Sequence, residues 1–495
     1  MARGEDSRDD RAMDDALFTP DPAPPPLDWL ERHPVRAKWE TLKQVWRSGR
    51  NLLHIFHPEA AGRPYVVANL GTLRLITVND ADFARQVLSE RADRYVKSHM
   101  YQAMLGDFLG RTASLISDGP GARAKRRLLG PAFNARALKR LEGVVERHVR
   151  ETLDGWAALG PGAEIDIGSE APTLAMRIAM EAFFSTALGP RAERFAALLD
   201  DLMADAGSPS MADVMDLPRW VPRRSRRGVA EKMAEIDRYL LEAIDARLAR
   251  RGEGPPDNPD MLDLLVHATD PETGAHLPRV EVRNEVVTLF MAGHETTALS
   301  LVWGFDRLAR ERAAQDRLAA AVQAARAAKG GPLACEDMRG IPLVGATYDE
   351  ILRLYPPGYV VARTAVAEDS FGDLSIRPGD RFQIAIFMLH RNPRYWARAG
   401  AFEPDRFLDR TVAGARHPFA FIPFGGGPRL CIGLAVARME AHLLIAETLA
   451  RFRLSPVGAP PKPDGKITLR TEDRVRVRLD PRAPVDAPQA ATASA

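Results

Sequence analysis

Residues 424–433 read Phe-Gly-Gly-Gly-Pro-Arg-Leu-Cys-Ile-Gly, which places Cys431 after a run of glycines and at the mouth of a helical pattern. Ile432, Val436, Met439 and Leu443 follow at steps of four, three and four, so the spacing predicts a helix that begins at the cysteine. Free backbone N–H groups and the dipole at such an end favour a thiolate over a thiol. Glycines at 425–427 let the chain turn sharply, approach a flat ligand closely and aim N–H groups at the sulfur. A thiolate held in this way is an axial ligand for iron in a planar macrocycle, where it donates electron density that favours O–O cleavage. The ordinary fate of a lone cysteine is to be a small buried apolar residue. A phosphate-cradling loop is the other use of such glycines, but no Lys-Ser/Thr pair follows them here.

A second constellation is Ala292-Gly293-His294-Glu295-Thr296-Thr297, flanked on both sides by apolar runs. Glycine and threonine weaken a helix interior, so polar residues here either face solvent or serve a purpose. The stretch Val286–Phe305 is long enough to cross a bilayer, but polar groups at its middle point instead to a buried helix with a functional interruption. A third is Glu350-Ile351-Leu352-Arg353, whose acid and base sit three apart on one helix face and so can pair.

Every fixed position of Phe-x-x-Gly-x-Arg-x-Cys-x-Gly is filled, and the loop resembles the haem-binding loop of the cytochrome P450 family. The hexapeptide, about 135 residues ahead of it, resembles the family's oxygen-activation motif. The resemblance implies a mainly α fold with a minor β subdomain, a triangular helical prism around a buried haem. It implies haem b held by the Cys431 thiolate, with Phe424, Gly425, Gly427 and Gly433 shaping the loop. Arg429, Arg363 and Arg126 match propionate-binding arginines, although Ala122 stands where the family has an aromatic residue or histidine, a gap that Arg123 or water would fill. Thr296 takes the hydroxyl role beside bound dioxygen, Glu295 the proton relay, and Gly293 loosens the helix over the iron. Glu350 and Arg353, with Arg406 from Pro404-Asp405-Arg406-Phe407, form a structural lock behind the haem. The implied reaction inserts one atom of dioxygen into a hydrophobic small molecule such as a fatty acid or terpenoid. A peroxide-driven peroxygenase or isomerase and a haem sensor without turnover are the alternatives; the acid–threonine pair favours dioxygen.

The rest of the chain is compatible with this. It has 495 residues, 68 Lys+Arg against 66 Asp+Glu and a net charge of +2, which gives no reason to expect a nucleic-acid partner. Cys335 and Cys431 are too few for a disulfide framework, consistent with a reducing cytoplasm and a soluble, monomeric, bacterial-type protein. No signal peptide opens the chain: residues 1–27 read as a disordered arm, 28–480 as a single catalytic domain and 481–495 as a disordered tail. About 65 residues follow Cys431, too few for a fused reductase, so electrons are expected from a separate ferredoxin or flavodoxin with its reductase.

Among the elements, Tyr65–Asn69 and Leu73–Val78 predict a hairpin around Leu70-Gly71-Thr72, and Asp80 predicts a helix cap. Gly358–Ala365 and Arg381–Phe387 predict strands; Leu138–Trp156, Ala192–Ala204, Gly228–Arg250 and Val280–Ala309 predict helices. Met100, Tyr101, Met104, Leu105, Phe108 and Leu109 are an apolar set for a hydrophobic substrate or for plain core packing, with 195–225 a second cavity-lining stretch. Arg219–Arg227, with Trp220 beside it, reads as a solvated loop or a membrane contact, and Lys125, Arg126, Arg127 and Arg438 as a basic face for an acidic electron donor.

Overall fold

The computed structural model describes residues 25–33, 51–70, 73–185 and 228–483, with isolated positions at 36–43 and 194–202. The arm before residue 25, the turn residues Gly71 and Thr72, most of 195–225, the basic segment 218–227 and the tail after residue 483 lie outside the described residues. In chain order the principal elements are helix α1 (Leu27–Arg32), strands β1 (Tyr65–Leu70), β2 (Leu73–Val78) and β3 (Tyr95–Lys97), then α2 (His99–Leu109), α3 (Gly119–Leu129) and α4 (Ala135–Ala158). There follow β4 (Ala163–Asp166), α5 (Ile167–Phe184), α6 (Val229–Ala249), α7 (Met261–His267), α8 (Arg279–Arg310), α9 (Arg312–Lys329) and α10 (Pro342–Leu354). Strands β5 (Val361–Ala365), β6 (Asp369–Phe371), β7 (Leu374–Ile376) and β8 (Arg381–Ile384) precede α11 (Leu434–Arg451), and β9 (Phe452–Val457), β10 (Pro463–Gly465), β11 (Leu469–Thr471) and β12 (Arg476–Pro481) close the chain.

The minor sheet has the order β1-β2-β8-β5-β3, with β2 and β8 parallel and the other pairs antiparallel. The predicted β1–β2 hairpin forms, and the Asp80 carboxylate accepts the Phe83 N–H at 3.0 Å at the start of the next helical turn. One prediction changes: the strand expected over 381–387 stops at Ile384, and Ile386–Leu389 is helical. Ile386, Phe387, Met388 and Leu389 are buried on every side, a pattern that suits a helix as well as a strand.

Helix α8 is the axis of the molecule. At 32 residues it runs for about 48 Å. Nearly all of Val282–Ala309 is buried, with α5 packed along it. Its N-terminal half joins an apolar cluster with α2, α5, α6 and α7, and its C-terminal half joins another with α4, α5, α9, α10 and α11. A third cluster fills the space around the five-stranded sheet. Among the described residues no helix is long and apolar enough to cross a membrane.

Candidate active site

Cys431 does not begin the helix, as its sequence context predicts, but precedes it by three residues; α11 starts at Leu434 with Gly433 as its cap. The displacement leaves the N–H groups of Gly433 and Leu434 directed at the sulfur. Burial nonetheless dominates and pushes the thiol pKa up, against the pull of those two N–H groups and the Arg126 charge. The residue is accessible to solvent while crowded by protein, as at the floor of a recess. Its own N–H donates to the Phe424 carbonyl at 3.0 Å, closing the loop. Gly427 has φ +64° and its missing Cβ would run into the Leu88 carbonyl oxygen, with Leu88 C and Ser89 Cα each at 2.9 Å. Only glycine fits there.

The accessible positions of α8 between Val282 and Ala309 are Leu289, Ala292, Gly293, Thr296 and Leu299. They recur at three- and four-residue steps and so form one stripe along the helix. Gly293 has nothing within 4 Å of where a Cβ would stand. Thr296 Oγ1 donates to the Ala292 carbonyl at 2.7 Å, back-bonding within the helix. Ile432 packs with the cluster containing Phe290 and Met291, whereas Phe424, Val436 and Met439 pack with the one containing Ala298, Leu301 and Val302. The cysteine loop and the helix that follows it thus contribute to both of the apolar clusters that α8 joins. Glu295 points elsewhere: its Oε1 accepts from Thr468 Oγ1 at 2.9 Å and from Arg470 Nε at 2.8 Å.

The predicted arginines converge, with one addition. Arg429 donates to Asp118 Oδ1 at 2.8 Å, Arg363 donates to the Ala362 carbonyl at 2.9 Å and Arg126 donates to the Leu430 carbonyl. Lys97, which no sequence motif singles out, stands directly opposite Arg363 in the β3–β5 register. Like charges in that position repel. Burial lowers the Lys97 pKa to about 7, with Arg429 and Arg363 adding to the fall and Asp118 and Glu285 opposing it. Ala122 is buried and Arg123 is exposed, while the Lys97 ammonium donates to the carbonyls of Ser114, at 2.8 Å, and Leu115.

A soft sulfur ligand flanked by N–H groups, four neighbouring cations and a helix stripe without a Cβ at Gly293 fit a flat iron macrocycle bearing carboxylates. The donor set suits haem.

The predicted trio comes together, the Glu350–Arg353 pair inside the protein and Arg406 at its partly accessible edge. Glu350 and Arg353 are both fully buried, with Arg353 Nε at 2.7 Å from Glu350 Oε2 and Nη2 at 2.8 Å from Oε1. Arg353 also donates to the carbonyls of His390, Ala399 and Ala401, and Arg406 lies 3.4 Å from Glu350. The basic face is largely consumed internally: Lys125 pairs with Glu281, Arg127 with Asp270 and Glu272, and Arg438 with Asp349. These acids lie far away in sequence, which is why the arginines and lysine read as free cations.

A mostly helical body with a small mixed sheet, crossed by one long unbroken helix that carries Gly293 and Thr296, and a glycine-rich cysteine loop leading into another helix define the architecture of haem-thiolate proteins. The cytochrome P450 family profile matches residues 34–477, and the chain belongs to that family. It is a P450 monooxygenase. Cyclooctatin synthase of Streptomyces melanosporofaciens is 29% identical over 369 residues, spanning 74% of this chain and 78% of that protein. Cyclooctat-9-en-7-ol 5-monooxygenase of the same organism is 30% identical over 354 residues, covering 70% and 74%. A cytokinin hydroxylase of Arabidopsis thaliana is 28% identical over 396 residues, covering 79% and 75%. Among solved structures, the cytochrome P450DA haem domain superposes with a TM-score of 0.73 at 24% identity, over 86% of this chain and 90% of that one.

Proposed function

We propose that this P450 inserts one oxygen atom from dioxygen into a hydrophobic small molecule of terpenoid or fatty-acid type, with electrons from a separate ferredoxin or flavodoxin and its reductase. The observation that carries the reading is the Cys431 sulfur, faced by the Gly433 and Leu434 N–H groups and neighboured by the Arg126 charge. Haem, when bound, supplies the oxygen activation and atom transfer. Cys431 would ligate its iron, and the Gly433 and Leu434 N–H groups would stabilise the sulfur's negative charge. Arg429, Arg363 and Arg126 would hold its carboxylates, with Lys97 adding positive charge nearby, and Phe424, Gly425 and Gly427 shape the loop. Gly293 keeps the α8 stripe clear, the Thr296 hydroxyl donates at that surface, and Glu295 relays protons to it. Glu350, Arg353 and Arg406 keep the segment that precedes the loop in place.

Met104, Leu105, Phe108 and Leu109 are buried in one core cluster with Phe290 and Met291, so of the two uses open to this apolar set they serve core packing. Two relatives whose names refer to cyclooctatin chemistry favour a terpenoid. The test is reconstitution with a surrogate ferredoxin, its reductase and NADH under isotopically labelled dioxygen, with diterpene alcohols and fatty acids offered in parallel. A product carrying one labelled oxygen is the expected result. Oxygenation supported by peroxide alone, with none from the electron-transfer system, would contradict it.

A further inference from the structure

Glu295 is gripped from outside its own helix, and by one oxygen only. Thr468 Oγ1 and the Arg470 Nε and Nη2 atoms, the last at 2.5 Å, all reach Oε1, and none of these contacts uses Oε2. Both donors come from the β10–β11 hairpin, Thr468 from its tip and Arg470 from β11. That hairpin is itself tied to the core. Tyr359 Oη donates to the Lys466 carbonyl at 2.6 Å, Trp303 Nε1 to the Leu469 carbonyl at 3.2 Å, and the Gly465 N–H to the Asn51 side chain at 2.8 Å. The grip is therefore preorganised by the fold. Consecutive helix residues point about 100° apart, so Glu295 faces the hairpin while Thr296 lies on the open stripe. No hydrogen bond joins the two side chains among the described residues. The Arg470 side chain is 28% accessible and that of Glu295 only 11%, so the guanidinium connects an enclosed carboxylate to solvent.

The geometry points to Arg470, seconded by Thr468, as the positioning residue of proton delivery, and to the β10–β11 hairpin as the element on the solvent side of that path. The inference rests on the reading of Glu295 as the relay. An enclosed carboxylate deprived of its counter-charge is costly and loses its fixed orientation. With Oε1 anchored, Oε2 takes up a proton from solvent and passes it toward Thr296, which returns the carboxylate to its ionised starting form; a second proton follows by the same two steps.

The experiment uses the full-length haem-loaded protein with surrogate ferredoxin, reductase, NADH and dioxygen. It measures hydrogen peroxide released per NADH oxidised, together with the solvent deuterium isotope effect on that oxidation. Peroxide release and coupled turnover take up the same two protons per dioxygen and differ in where the second is delivered, so the ratio reports the placement of proton delivery. Arg470→Gln is expected to shift the peroxide-to-water ratio about tenfold toward peroxide, less than the hundredfold or more at stake in positioned acid–base catalysis. Arg470→Lys, which keeps the charge, lies close to the parent, and Thr468→Val shifts the ratio in the same direction by a smaller factor. Glu295→Gln with Arg470→Gln behaves as Glu295→Gln alone, because the two act through one group. Parent values for Arg470→Gln and Thr468→Val alongside a strong effect of Glu295→Gln would overturn the inference and leave the relay reading intact. A parent-like Glu295→Gln would overturn both. Should Arg470→Gln fail to bind haem, Thr468→Val decides: a parent-like ratio and isotope effect refute the inference.

Discussion

Three adjacent glycines in the cysteine loop look alike in sequence and differ in what the fold asks of them. Gly425 has φ +73° and open space where a Cβ would stand, so Gly425→Ala meets only the left-handed backbone penalty, about 1–2 kcal/mol. Gly426 has an ordinary extended backbone and would meet the Phe419 ring edge at 2.7 Å; the ring can yield, at a cost of about 1 kcal/mol. Gly427 combines φ +64° with a collision against the backbone of Leu88 and Ser89, which no rotamer relieves. Adding an overpacking term of about 1–3 kcal/mol to the left-handed penalty puts Gly427→Ala at about 2–5 kcal/mol. The excess over Gly425→Ala is about 2 kcal/mol, or roughly thirtyfold. The assay is the rate of haem transfer from each variant to apomyoglobin, beside urea unfolding of each holoprotein. The order expected is Gly427→Ala fastest, by that margin over Gly425→Ala, with Gly425→Ala and Gly426→Ala each roughly five- to thirtyfold from the parent. A Gly427→Ala no worse than Gly425→Ala would refute the claim that the Leu88 contact sets the loop.

Four further outcomes follow from the same geometry. Arg353→Met leaves the fully buried Glu350 without its main partner and should cost about 3–5 kcal/mol in urea unfolding. Arg317→Ala removes an equally short pair with Asp405 at 2.7 Å, but exposed, and should cost about 1 kcal/mol or less; equal losses would defeat the burial argument. Thr296→Ala should raise peroxide release per NADH without lowering the unfolding midpoint, since the hydroxyl bonds only its own helix, whereas unchanged coupling would count against its role. The unfolded chain keeps the Lys97 proton up to about pH 10, while haem-extracted folded protein releases it at about 7. Over that window the unfolded state binds more protons, so stability rises with pH, and Lys97→Met should flatten the rise; a slope identical to the parent would contradict the placement of Lys97.

What could be read from the sequence was whatever depends on short spacing. The Cys431 loop, the Gly293–Thr296 interruption and the Glu350–Arg353 step each lie within one turn or loop, where residue type and interval carry the signal. The β1–β2 hairpin and α8 were legible for the same reason. Lys97 was not, because only the β3–β5 register sets it opposite Arg363. Nor was the Arg470–Glu295 bridge, whose partners are 175 residues apart and meet through a hairpin held by Tyr359, Trp303 and Asn51. The acids that occupy Lys125, Arg127 and Arg438 were hidden likewise. The start of α11 was misplaced by three residues because the apolar period continues through Ile432, while the backbone turns once more before the helix begins.

The central claim is a sulfur–iron bond at Cys431, and the most direct measurement is the absorbance of the reduced, carbon monoxide-treated holoprotein and of its Cys431→Ser and Cys431→His variants. The parent should show the strongly red-shifted Soret band that thiolate ligation produces, and both variants should lose it, the histidine variant moving to the position typical of imidazole-ligated haem. A parent spectrum of the imidazole type, or a thiolate band that survives in Cys431→Ser, would contradict the account.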